Sequence, residues 1–146
     1  DETLRYTLSL EHSSDETRAA VLAPEALAGI SATLAGDGLT LSYDTLTLDA
    51  LTLSPRVSAL NCVPLVLEAF PRAYLESVGR ETLDGRETLR ADFSMTLAGD
   101  KLGASLFLAA DGAPVCMEVS EDGKIIAAAE FTNFIFGDIL PPSTQN

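Results

Sequence analysis

The run from Asn61 to Glu76, NCVPLVLEAFPRAYLE, has a helical pattern in a chain that elsewhere alternates like strand. Glu68, Arg72 and Glu76 recur every fourth residue and form one narrow polar stripe, with Asn61 close to the same line. Val63, Val66, Leu67, Ala69, Phe70, Ala73, Tyr74 and Leu75 cover the rest. A helix with so little polar surface must be enclosed on most sides, and the remainder of the chain offers only sheet to enclose it. Asn61 is a good N-cap, and Pro64 falls in the first turn, where its missing N–H costs little. Pro71 removes the bond to the Leu67 carbonyl, at a cost of about 3 kcal/mol. The polar stripe continues in phase beyond it, so the spacing predicts one helix over 61–76, kinked at Pro71. Glu68–Arg72 and Arg72–Glu76 are also placed for ion pairs of about 0.2–0.5 kcal/mol each.

Before that run, Leu4 to Leu10 alternates as a half-buried strand, and His12 to Glu16 reads as a turn. Arg18 to Ala23 is a second strand that Pro24 ends, and Pro24 to Gly29 has room for one helical turn. Ile30 to Leu34 and Leu39 to Tyr43 flank Gly36-Asp-Gly38, a hairpin signal. Leu46 to Leu53 alternates with a phase slip at Ala50, which reads as a bulge or bend. Five strands therefore precede the helix.

After Gly79 the pattern is a meander. Asp84-Gly85 is the strongest hairpin signal in the chain, and Leu89, Ala91, Phe93, Met95 and Leu97 line one face of the strand that follows. Turns are predicted at Gly99 to Lys101, Asp111 to Pro114 and Glu121 to Lys124, with a last strand over Ile125 to Phe136. The whole reads as one domain over 1–137, with a frayed tail over 138–146 that includes Pro141-Pro142.

Composition excludes several functions. A formal charge of −13 repels phosphate backbones and anionic lipid surfaces, so nucleic acid is not an expected partner. With 47% hydrophobic residues and regular alternation, the acid reads as a solubilising exterior of a folded chain, not as disorder. The chain starts at Asp1 without Met in a strand-like run, as expected once a targeting segment has been removed.

Cys62 opens the helix, whereas Cys116 shares a strand face with Glu118 and Ser120, and these phases argue against a disulfide. The single histidine, His12, falls in a polar run without the partners that zinc or nucleophilic catalysis needs. No G-x-S-x-G, phosphate-binding glycine loop or EF-hand spacing occurs, so no catalytic residue, metal or cofactor is expected. Asp92, Glu118 and Glu130 lie on polar strand faces, where solvation is their ordinary role. Tyr74, Phe93, Phe107, Phe131 and Phe134 either fill a core, the commoner fate, or line an apolar cavity.

Four segments together resemble envelope lipoproteins of the LolA/LolB-like superfamily, and within it the GerS-like branch of single-membrane bacteria. They are Pro24 to Ile30 (PEALAGI), Gly36 to Tyr43 (GDGLTLSY), Ser58 to Phe70 (SALNCVPLVLEAF) and Ala129 to Phe134 (AEFTNF). The resemblance implies an α+β, mostly β fold: a curved antiparallel sheet of about eight to ten strands, half-open as an incomplete barrel, around the kinked helix. It also implies a cleaved lipoprotein signal peptide and an extracytoplasmic site, lipid-anchored to the outer face of the cell membrane. In the carriers of that superfamily the concave apolar face holds acyl chains, and the corresponding groove here would be lined by Val66, Phe70, Tyr74, Phe93, Phe107 and Phe131. Two non-enzymatic readings stand side by side. One is a groove for a lipid acyl chain or other apolar ligand. The other is an interaction module with a filled core that meets an envelope protein, or a second copy of itself, through its sheet edges.

Overall fold

The computed structural model describes residues 4–36, 38–49, 62–97, 99–135 and 137. Ten strands and one α-helix are present among them, with strands β1 (Thr7–His12), β2 (Thr17–Ala23), β3 (Ser31–Ala35), β4 (Gly38–Tyr43) and β5 (Leu46–Asp49) preceding helix α1 (Cys62–Ala69). After it come β6 (Tyr74–Leu83), β7 (Arg86–Leu97), β8 (Asp100–Leu108), β9 (Pro114–Glu121) and β10 (Lys124–Glu130). They form two antiparallel meanders, β1-β2-β3-β4-β5 and β10-β9-β8-β7-β6, in which each strand pairs with its neighbours in the chain. The expected curved sheet is thus divided in two at the helix, and no ladder closes either half among the described residues. The phase slip at Ala50, the N-cap at Asn61, the Cys62 side chain and the tail over 138–146 lie outside what is described.

Turn chemistry explains the meanders. Asp84 and Gly85 both have positive φ (49° and 78°), as do Asp122 and Gly123 (49° and 76°), which is the mirror-image turn whose twist suits a two-residue hairpin. Ser13 to Glu16 closes β1 to β2 through the Ser13 N–H to Glu16 carbonyl bond at 2.9 Å. His12 is therefore the last residue of β1, paired with Thr17, and not part of the turn. The first strand begins at Thr7 instead of Leu4, and the last ends at Glu130 instead of Phe136. The expected single helical turn after Pro24 is a 3-10 turn over Glu25–Leu27.

The long kinked helix is corrected. α1 stops at Ala69, a 3-10 turn over Phe70–Arg72 carries Pro71, and the chain then enters β6 at Tyr74. Pro71 breaks the helix because Tyr74 and Leu75 gain ladder partners in Ser94 and Phe93, which a continued helix would forgo. The polar stripe is dispersed accordingly: Glu76 becomes the extra residue of a bulge between Leu75 and Ser77. Neither of the two expected ion pairs of Arg72 is among those formed by the described residues.

The core lies where α1 meets β2 of the first sheet and β7 of the second. Val63 and Val66 from the helix pack with Met95, Leu102, Ala104, Met117 and Val119, all buried. These last five define the inner face of the second sheet, and cross-strand pairs such as Met95 with Leu102 and Leu106 with Met117 keep the set in register. On the first sheet the inner face is small where Ala19 and Ala32 pair, both fully buried.

Candidate ligand-binding face

The six residues nominated for a groove separate into three groups. Val66, Phe70, Phe93 and Phe131 come together: Val66 is buried in the core, and Phe131 and the Phe70–Phe93 pair pack against it. The Phe70 and Phe93 rings meet edge to face, centroids 4.7 Å apart at 82°. Phe107 is buried on the opposite, outer face, because it pairs with Arg90 and Cys116 on the other parity of the ladder. The Arg90 guanidinium lies over its ring, 5.4 Å from the centroid. Tyr74 also projects from the outer face, opposite Ser94, and is 72% exposed.

A different set of apolar side chains occupies the open part of the inner face. Leu75, Val78 and Leu89 are 48%, 54% and 42% exposed. Leu75 is paired with Phe93, Val78 with Ala91, and Arg80 with Leu89, so all share the inner face of β6 and β7. Leu106 and Leu108 of β8, partners of Ala91 and Leu89, extend it sideways and are half-buried. The result is an apolar row that starts at the Phe70–Phe93 stack, runs along the sheet edge and ends at Arg80. Leu89 was legible as an inner-face residue from alternation; Leu75 and Val78 were hidden by the bulge, which spaces them three apart.

The outer face of the same strands carries a polar network. Asp92 accepts hydrogen bonds from Ser105 Oγ (2.6 Å), Ser77 Oγ (2.7 Å) and Arg90 Nε (2.9 Å), and Arg90 Nη1 also reaches Glu81 at 3.0 Å. The bond from Ser105, then those from Ser77 and Arg90, hold the Asp92 carboxyl at about 2 against the upward pull of partial burial. Its two carboxylates keep Arg90 firmly charged, Asp92 first and Glu81 second. The network is satisfied within itself. Its serines donate to a carboxylate, and no imidazole is near to serve as their base.

The chain's one imidazole is on the other sheet. His12 Nδ1 lies 2.7 Å from Oγ1 of the fully buried Thr17, which in turn donates to Glu68 Oε1 of α1 at 3.5 Å. This links β1, β2 and the helix and offers no nucleophile. Cys116 is a free, half-buried thiol; burial, and then Glu118 and Glu130, push its pKa up, which makes it a poor nucleophile. Among the described residues no group of His, Cys, Asp and Glu is arranged to hold a metal ion, and no helix is long and apolar enough to cross a membrane.

No protein-family model matches the sequence, and no curated protein does. Solved structures do match the fold. A LolA superfamily protein from Nitrosomonas europaea aligns with a TM-score of 0.52 at 13% identity, over 93% of this chain and 66% of that one. The chain thus spans just under two thirds of that protein's length. A chain in the structure of the CwlD amidase from Clostridioides difficile in complex with the GerS lipoprotein aligns with a TM-score of 0.52 at 16% identity, over 91% of this chain and 85% of that one. At such identities, 13% and 16%, the likeness is one of fold alone. The chain has the LolA-like fold.

Proposed function

We propose that this chain is a non-enzymatic, extracytoplasmic domain of a bacterial envelope lipoprotein that holds an acyl chain or similar apolar ligand on the inner face of β6 and β7. One observation carries the reading: three large apolar side chains, Leu75, Val78 and Leu89, are left about half exposed in one row on the face that elsewhere forms the core. Such a contiguous apolar strip is a usual mark of a binding surface. From Leu75 to Arg80 the row follows the four ladder steps from Phe93 to Leu89, about 13 Å at the ordinary strand rise. Each buried methylene contributes about 0.8 kcal/mol, so roughly ten of them supply the ~8 kcal/mol of a micromolar complex. The ligand favoured is therefore a long single chain. The LolA-like architecture supports an envelope role, and the lack of any nucleophile–base pair among the described residues supports a binding function over a catalytic one.

The neutral dye N-phenylnaphthylamine tests this. Saturable fluorescence enhancement is expected, displaced by dodecyl maltoside below its micellar concentration and lost in Val78→Asp. Absence of saturable binding to the folded wild-type chain overturns the proposal.

A second reading rests on β6 itself. It is a ten-residue strand, exposed along nearly its whole length, and among the described residues it stands at the edge of its sheet with one rim unpaired. A partner strand added there is the interaction-module alternative, and the appearance of the same fold in a structure of an amidase–lipoprotein complex supports it. Protection of the β6 amides from hydrogen exchange at rising protein concentration would mark self-association; unchanged exchange rules it out.

A further inference from the structure

We infer that the apolar row selects amphiphiles with an anionic head, and that Arg80 is the residue that reads it. This rests on the proposed acyl-binding face and adds the class of ligand. Arg80 is paired with Leu89 across the ladder, so it shares the inner face with Val78 and Leu75 at the end of the row away from the Phe70–Phe93 stack. The aromatic stack blocks that end for a polar group, whereas the Arg80 end is open, which orients a single-chain ligand with its tail toward Phe93. Among the described residues Arg90 is the arginine engaged in ion pairs, and Arg80, exposed, has none. Arg86 and Arg90, the arginines of β7, lie on the outer face by parity. The nearest acid on the inner row is Glu87, opposite Thr82 and two residues from Leu89 along β7, and it forms no ion pair with Arg80.

Charge decides the class. The chain carries −13 overall, so its general field repels an anionic head and attracts a cationic one. A preference for anions at this face must therefore come from a local, unpaired cation in contact with the head, because the long-range term has the opposite sign. A guanidinium supplies that contact with two parallel N–H donors to a carboxylate or phosphate.

The experiment is isothermal titration of the whole chain with laurate and with dodecyltrimethylammonium, equal in tail and opposite in head, both kept below micellar concentrations. Laurate is expected to bind at least about tenfold tighter. Arg80→Ala should remove that advantage in a chain that still binds the neutral dye saturably, and Glu87→Gln should strengthen laurate about twofold. Arg72→Ala, in the 3-10 turn that precedes β6, should change neither. Equal affinity for the two heads, or laurate binding unaltered in Arg80→Ala while the dye still binds, overturns the inference and leaves the acyl-binding reading standing. Loss of dye, laurate and ammonium binding alike in the wild-type chain overturns both.

Discussion

Arg90 Nε and Asp92 Oδ1 lie 2.9 Å apart, two residues along the same strand, so both side chains project from one face of β7 and share Ser105 as a further partner. The consequence is a pH dependence. Asp92, ordinarily near 3.8, is held at about 2 in the folded chain. A depressed carboxyl contributes stability that is full above its unfolded value and is lost as pH falls through the folded one. Chemical denaturation should show stability falling between about pH 4 and about pH 2, by roughly 1–2 kcal/mol after allowance for solvent screening. Asp92→Asn should flatten that interval and lower stability near neutrality by a similar amount; an unchanged pH profile in the variant contradicts the assignment.

Gly103 sits between Ser94 and Ser120 on the outer face, and a Cβ built there would lie 2.7 Å from Ser120 Oγ. Gly103→Ala should force Ser120 off its rotamer and cost about 0.5–1.5 kcal/mol. In a Ser120→Ala background the same change should be neutral or stabilising, since alanine loses less backbone entropy than glycine. Thermal denaturation of the four-variant cycle reads the coupling. Additive effects would show that the hydroxyl is not what constrains the site.

Thr17→Val keeps the volume of a fully buried side chain and deletes the hydroxyl that meets His12 and Glu68. The expected loss is about 1 kcal/mol, seen in urea midpoint with the slope of the transition unchanged. A variant as stable as wild type would mean that the link between β1, β2 and α1 contributes nothing net.

The Cys116 thiol should alkylate slowly in the folded chain. Burial raises its pKa, and Glu118 and Glu130 add to the shift. Peptide-resolved mass spectrometry after iodoacetamide treatment should show Cys116 labelled several-fold more slowly than after denaturation. Glu118→Gln with Glu130→Gln should recover part of the rate. Equal rates in folded and unfolded chain would contradict this.

Much of the fold was legible because its turns are written in local chemistry. Asp84-Gly85 announces a hairpin since both residues adopt positive φ, and Pro24 closes β2 because it cannot donate to a ladder. The region after Pro71 misled for a specific reason. The bulge at Glu76 places Leu75 and Val78 on one face at a spacing of three, which in sequence looks like a helix turn. Only the partners Phe93 and Ala91, distant in sequence, reveal it as strand. Phe107 shows another limit. Its alternation with Leu106 and Leu108 put it on the outer face, but aromatic character suggested the groove, and no local signal records that Arg90 covers it. The open apolar row was equally hidden, since exposure depends on where the helix stops.

The neighbour-to-neighbour pairing of the ten strands among the described residues has a kinetic consequence. Every ladder closes a short stretch of chain, so the entropy lost in loop closure is small at each step, and contact order is low for so β-rich a protein. Folding should be fast for its class. The first meander also has all its pairing partners in the segment before α1, so its five strands can zip without waiting for the rest of the chain, and the helix and second meander then find half of their enclosure already in place.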